Sequence, residues 1–332
     1  MRVRQGLLLA VAAMAACTKA EFVGRPEPIA APLGLPAPPE RVPPAAVALG
    51  KKLFFSPVLS VDRSLTCASC HQPGTGFADA RATSPGVNGG RGNRNAPSVW
   101  NAVYWTSQFW DGRAASLEEQ AGGPMMNPVE MGHSSRGVVA SVKTDPELRR
   151  LIAAAYGDDT VTLERITRAI AAYEKTLVRG NSPFDRFEFG GDKSALSEEA
   201  QRGLALFRGK ANCASCHTIA KDHALFTDNK FHNLGVGMDP EGNLRDAGRY
   251  AVTKREADRS AFRTPSLRNI AETAPYMHDG SLKTLKEVVD FYVGGGNANP
   301  QLDPLIQPLT SFTRQDRADL VAFLESLTGE PQ

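Results

Sequence analysis

The sequence has almost no excess charge of either sign, with 38 Lys and Arg against 36 Asp and Glu in 332 residues. Without a basic surplus, a nucleic-acid partner is set aside, because clustered cations dominate binding to phosphate. Long apolar runs are also missing. The longest, Leu7 to Ala16, falls short of the roughly 20 residues that a membrane-spanning helix needs. Alternation of apolar and polar residues with a period of two is scarce, which excludes a large sheet and leaves a mostly α fold. Six histidines and five cysteines are few for this length, so their grouping carries information.

What is present begins with a leader. Arg2 and Arg4 precede the short apolar run, which reads as a signal peptide over residues 1–17. Ala15 and Ala16 stand immediately before Cys17, as at a lipoprotein processing site, so Cys17 is expected to carry a lipid anchor. The plainer alternative is ordinary secretion, with Cys17 discarded. Residues 18–44 are rich in Pro and Ala without a usable period, which predicts an extended tether.

The other four cysteines fall in two identical pentapeptides, Cys67-Ala68-Ser69-Cys70-His71 and Cys213-Ala214-Ser215-Cys216-His217. This Cys-x-x-Cys-His pattern is that of c-type haem attachment. Two thiols add to the two vinyl groups of one porphyrin, and the adjacent imidazole meets the iron. A thioredoxin-like redox couple or half of a zinc site would also use a Cys pair. Neither needs the adjacent histidine twice. The repeat extends upstream, where Gly50–Phe54 and Gly203–Phe207 each lead towards an attachment site. Two cytochrome c-like domains follow, each with one covalent haem c, over residues 45–185 and 186–332.

Pro43 and Pro44 open a predicted helix through Leu49, Leu53 and Phe54, which Ser56 and Pro57 end. Residues 74–97 read as loop. Leu163, Ile166, Ile170 and Tyr173 mark one helical face, and Ser197 starts a helix through Leu204 and Phe207. Thr284 and Glu287 have capping-box spacing ahead of a Leu285, Val288, Val289 and Tyr292 stripe, which turns Tyr292 inward. A last helix begins near Thr313, with Asp316 at capping spacing, and buries Leu320, Phe323, Leu324 and Leu327.

Several longer segments then carry a family resemblance: RNAPSVWNAVY from Arg94, QFWDGRAASLEEQ from Gln108, NPVEMG from Asn127 and FRTPSLRNIAETAPYMHDG from Phe262. With the two haem motifs, the chain resembles the bacterial di-haem cytochrome c peroxidase and MauG family over nearly all of its mature length. The resemblance implies a peroxidatic haem in the N-terminal domain with His71 as proximal ligand. It implies an electron-transfer haem in the C-terminal domain with His217 as proximal ligand. Trp110 would lie between the haems. Glu130 would stand beside the open face of the first iron, moving a proton from one peroxide oxygen to the other. Gln120 and Pro124 match further pocket positions. Asn95, Thr273 and Pro275 match a calcium site built from oxygen donors.

Two departures from the better-known peroxidases set further expectations. No histidine occurs in residues 86–95, where those enzymes often carry a second ligand to the peroxidatic iron, so this haem should be open without reductive activation. Tyr292 stands where they place a methionine on the electron-transfer iron, as in the MauG branch; a phenolate favours ferric iron where a thioether favours ferrous. The leading expectation is a periplasmic enzyme that reduces hydrogen peroxide with electrons from a small cytochrome c or cupredoxin. Peroxide-dependent oxidation of a residue on a protein substrate is the alternative, and a non-enzymatic di-haem electron carrier a third. A homodimer is compatible with each. His133 and His223 are expected at the surface, His278 among interdomain hydrogen bonds, and His232 has no assigned role.

Overall fold

The computed structural model describes residues 21–330, so the leader and Cys17 lie outside the described residues. Ten α-helices carry the described fold: α1 (Pro44–Phe54), α2 (Leu117–Met126), α3 (Ser135–Lys143), α4 (Pro146–Tyr156), α5 (Leu163–Lys175), α6 (Pro183–Glu188), α7 (Glu198–Arg208), α8 (Tyr250–Thr253), α9 (Leu285–Val293) and α10 (Arg314–Glu325). The only sheet among the described residues pairs β1 (Phe231–His232) with β2 (Phe262–Arg263), antiparallel. Long loops join the helices, as expected of chains that wrap a large prosthetic group.

The helix starts follow their local sequences. Pro44 opens α1, where a missing backbone N–H costs nothing. Thr284 and Thr313 cap α9 and α10 in reciprocal boxes with Glu287 and Asp316. Ser197 caps α7 by accepting from the Ala200 amide.

Two apolar cores result. The first draws on residues from Leu49 to Leu177 and the second on residues from Phe184 to Leu327. Within them, α1 packs on α5 as α7 packs on α10. Glycine permits both close crossings: a Cβ on Gly50 would stand 1.8 Å from the Ala169 carbonyl oxygen, and one on Gly203 would stand 2.0 Å from that of Asp319. The division expected after residue 185 falls inside α6, whose Phe184 packs in the second core.

The tether expectation needs correction for residues 21–44, which pack across both domains. Leu35 and Val42 are buried, Val23 N–H donates to Ala155 O, and the Gly34 carbonyl accepts from Ala224 N–H. Arg268 Nη2 also donates to Gly34 O, while both guanidinium amino groups hold the buried Asp185 carboxylate at 2.8 and 2.9 Å. Pro and Ala hid this contribution because a chain without a period can still fill grooves through its backbone groups. No helix among the described residues is long and apolar enough to cross a membrane.

Candidate functional site

Both Cys-x-x-Cys-His motifs form short 3₁₀ turns, and none of the four cysteines forms a disulfide. Burial pushes the Cys213 thiol up to about 12 and raises those of Cys67 and Cys70 as well. Each motif histidine is fixed from behind. His71 Nδ1 lies 3.0 Å from Pro97 O and 3.3 Å from Phe77 O, and His217 Nδ1 lies 2.9 Å from Phe226 O. A carbonyl can only accept, so Nδ1 carries the proton and Nε2 keeps its lone pair for a metal. Burial lowers the proton affinity of both rings, which favours that neutral form.

An apolar cavity of about 360 Å³ opens beside the second motif. Cys213, Cys216 and His217 form one wall, and Leu285, Val288, Val289, Tyr292 and Val293 of α9 form another. Tyr292 therefore faces the His217 space across the cavity. Its hydroxyl has no hydrogen-bond partner among the described residues, and burial raises its pKa. The paired cysteines, the tethered imidazoles and the apolar enclosure fit haem c. Two haem c attachment sites are thus built into the chain.

The sequence repeat runs much further than its upstream segments. Ser98 Oγ donates to Gly76 O and Ser266 Oγ to Leu225 O. Asn101 N–H donates to Leu177 O and Asn269 N–H to Leu327 O. Isolated bridges pair Gln108 with Ala114 and Tyr276 with Leu282, and Ser116 caps α2 as Thr284 caps α9. The two copies correspond without a gap from Pro97 and Pro265 through these caps, so Gln120 matches Val288 and Pro124 matches Tyr292. The shared Pro-Ser, Asp-Gly and capping residues carried that signal in the sequence. Side-chain divergence concealed it.

Around the first motif, Glu130 lies in the turn after α2, where Asn127 Nδ2 donates to its Oε1 at 2.9 Å. Its charge reaches Cys70. Burial raises the Glu130 pKa, opposed by Asn127 and Arg113. Arg113 in turn stacks over Phe109, 3.4 Å from the ring centroid. Gln120 and Pro124 both lie on α2, partly buried.

Trp110 lines the cavity between the domains and donates from Nε1 to Asn95 O at 2.9 Å. Asn95 N–H donates to His278 O at 2.7 Å. Asn95 Nδ2 donates to Arg81 O, so the side chain is oriented while Oδ1 has no hydrogen-bond partner among the described residues. Thr273 and Pro275 share this cavity wall, and no hydrogen bond among the described residues uses their carbonyls. These uncharged oxygens fit a hard cation.

The remaining histidines divide. His133 and His223 are partly exposed. The buried His278 ring stacks on Phe262 with centroids 3.6 Å apart, and only its backbone carbonyl makes the interdomain bond. His232 sits between Asp303 at 2.6 Å and Asp228 at 3.0 Å, close to Cys216.

Comparison with known proteins agrees with this architecture. The model of the di-haem cytochrome c peroxidase family matches residues 44–194, and the cytochrome c model matches residues 200–328. The methylamine utilization protein MauG of Methylorubrum extorquens is 42% identical over 95% of this chain and 86% of its own length. The chain belongs to the di-haem cytochrome c peroxidase and MauG family. Cytochrome c551 peroxidase of Nitrosomonas europaea is 39% identical over 85% of this chain and 79% of its own. Among solved structures, a MauG-like protein associated with microbial copper homeostasis superposes with a TM-score of 0.81 and 33% identity, covering 90% of this chain and 95% of that one. As a member of this family the chain is an oxidoreductase enzyme with a two-domain, mostly helical fold.

Proposed function

We propose that the chain reduces hydrogen peroxide to water at an open haem held by His71, drawing electrons through a second haem held by His217. The observation that carries this reading is the match of Pro124 with Tyr292 in the two copies of the repeat. Where the C-terminal domain offers a phenol oxygen, the N-terminal domain offers a side chain with no donor atom, and that asymmetry leaves one iron accessible.

Bound haem supplies the iron that receives peroxide and the redox capacity for breaking the O–O bond. Glu130 would take a proton from one peroxide oxygen and return it to the other. Asn127 holds the carboxylate for that exchange, and Gln120 orients the peroxide by hydrogen bonding. Each peroxide consumes two protons and two electrons and yields two waters. Trp110 couples the two domains, and Asn95, Thr273 and Pro275 would hold Ca²⁺ at their junction. Electrons come from a small periplasmic cytochrome c or cupredoxin.

Tyr292 favours a second reading, in which the oxidising equivalents are spent on a residue of a protein substrate, because a phenolate ligand stabilises oxidised iron. The test mixes fully ferric protein with cyanide, then with peroxide, and follows each with reduced cytochrome c, a reduced copper protein or small phenols. One haem should bind cyanide and react with peroxide without prior reduction. Two six-coordinate irons that ignore both reagents until one electron is added would reject the reading. Rapid turnover of a small donor separates the first function from the second.

A further inference from the structure

Glu174 stands near the end of α5 as a buried acid that the mechanism above does not use. Only 5% of its surface is exposed, and its fully buried Oε2 has no hydrogen-bond partner among the described residues. Lys175 makes no hydrogen bond to it, because Glu40 and Glu118 already hold its ammonium group at 2.5 and 2.6 Å. Glu174 lies close enough to Cys67 to raise its thiol pKa, which places it at the N-terminal haem attachment site.

The register of the repeat shows which space it faces. The Gly50–Ala169 crossing matches Gly203–Asp319, and the Asn101–Leu177 hydrogen bond matches Asn269–Leu327. Between these fixed points Ile170 corresponds to Leu320 and Glu174 to Leu324. Both Leu320 and Leu324 line the cavity at His217. The acid therefore occupies a wall position of the His71 space that is apolar in the other copy. Gln120 departs in the same direction, since it replaces Val288.

We propose that Glu174 is a ligand-positioning residue of the N-terminal haem pocket, a neutral carboxylic acid that offers its proton as a hydrogen bond to a small anion or peroxide on the open face. A buried acid without a cation is stable only when neutral or hydrogen-bonded. Burial pushes Glu174 up to about 8, with Glu118 adding to the shift and Lys175 opposing it. Tyr173 is its titratable neighbour on α5, Cys67 becomes a non-ionising thioether once haem is attached, and the residues that α1 buries are Ala46, Leu49, Gly50, Leu53 and Phe54, none of them titratable. The proposal rests on the reading that the His71 haem is open.

Fluoride is the probe, because a ferric haem holds it more tightly when a distal donor is present. Optical titration of the full-length ferric holoprotein compares wild type with Glu174→Gln and Glu174→Leu. Wild type should bind fluoride at one haem, with affinity falling as pH rises through about 8. Glu174→Gln, which keeps a donor that cannot ionise, should retain the pH 7 affinity within about threefold and lose that step, whereas Glu174→Leu should bind roughly tenfold more weakly or worse. A step that persists in Glu174→Gln, or wild-type affinity in Glu174→Leu, overturns the proposal. Should the leucine variant fail to mature with two haems, the step in Glu174→Gln decides alone. Absence of fluoride binding in wild type would instead remove the open-face reading and this proposal with it, whereas normal wild-type binding matched by both variants removes only Glu174.

Discussion

Trp110 and His278 meet edge to face between the two domains with ring centroids 6.5 Å apart, and they occupy the same place in the two copies of the repeat. Each copy contributes one ring to the junction. Trp110→Phe keeps an aromatic there but removes the indole N–H from Asn95 O, a loss of about 1 kcal/mol. The variant should retain both haems, yet after peroxide the spectral changes of the two should separate in time by stopped flow. Simultaneous changes would count against Trp110 as the coupling residue.

Glu130→Gln preserves size and removes the proton-accepting carboxylate. The oxidised product should form at least about tenfold more slowly, since positioned acid–base groups typically contribute roughly 10²–10⁴-fold. Because burial raises the Glu130 pKa, the base form is lost as pH falls through that raised value. The wild-type rate should therefore rise with pH across it, and the glutamine variant should lose this limb.

Tyr292→Met should raise the reduction potential of the His217 haem, because a thioether favours ferrous iron relative to a phenolate. Haem attachment should survive, since Cys213 and Cys216 are untouched. Redox titration with magnetic circular dichroism decides the point: an unchanged potential and unchanged ligand-field bands would reject Tyr292 as an iron ligand.

Gly34 has φ +84°, and a Cβ there would stand 1.9 Å from Asp185 Oδ1. Gly34→Ala should destabilise the protein by at least about 2 kcal/mol. Asp185→Asn, which strands the buried Arg268 guanidinium, should cost roughly 3–5 kcal/mol. Denaturant unfolding of the holoprotein measures both. Values near zero would mean that residues 21–44 do not brace the domains.

Calcium occupancy should be visible as a fall in Tm on chelation with both haems retained. Asn95→Ala should show the lower Tm from the outset and respond little to chelator. A chelator response unchanged in Asn95→Ala would move the cation elsewhere.

The sequence by itself determined the covalent chemistry and most of the helix boundaries around it. Cys67, Cys70 and His71, like Cys213, Cys216 and His217, must be contiguous because one porphyrin engages all three, so no folding is needed to group them. The stripe ending at Tyr292 was equally legible, because a period of 3.6 turns spacing directly into a face. Tertiary structure decided what depends on apposition. Residues 21–44 lack any period, and only their backbone hydrogen bonds to Ala155, Ala224 and Arg268 show that they belong to the packed body. Glu174 reads locally as an ordinary charged residue beside Lys175. Only the matched crossings at Gly50 and Gly203 place it on a haem pocket wall, and only the clamping of Lys175 by Glu40 and Glu118 leaves it unpaired. Burial and register are properties of two segments brought together, and spacing along one segment does not encode them.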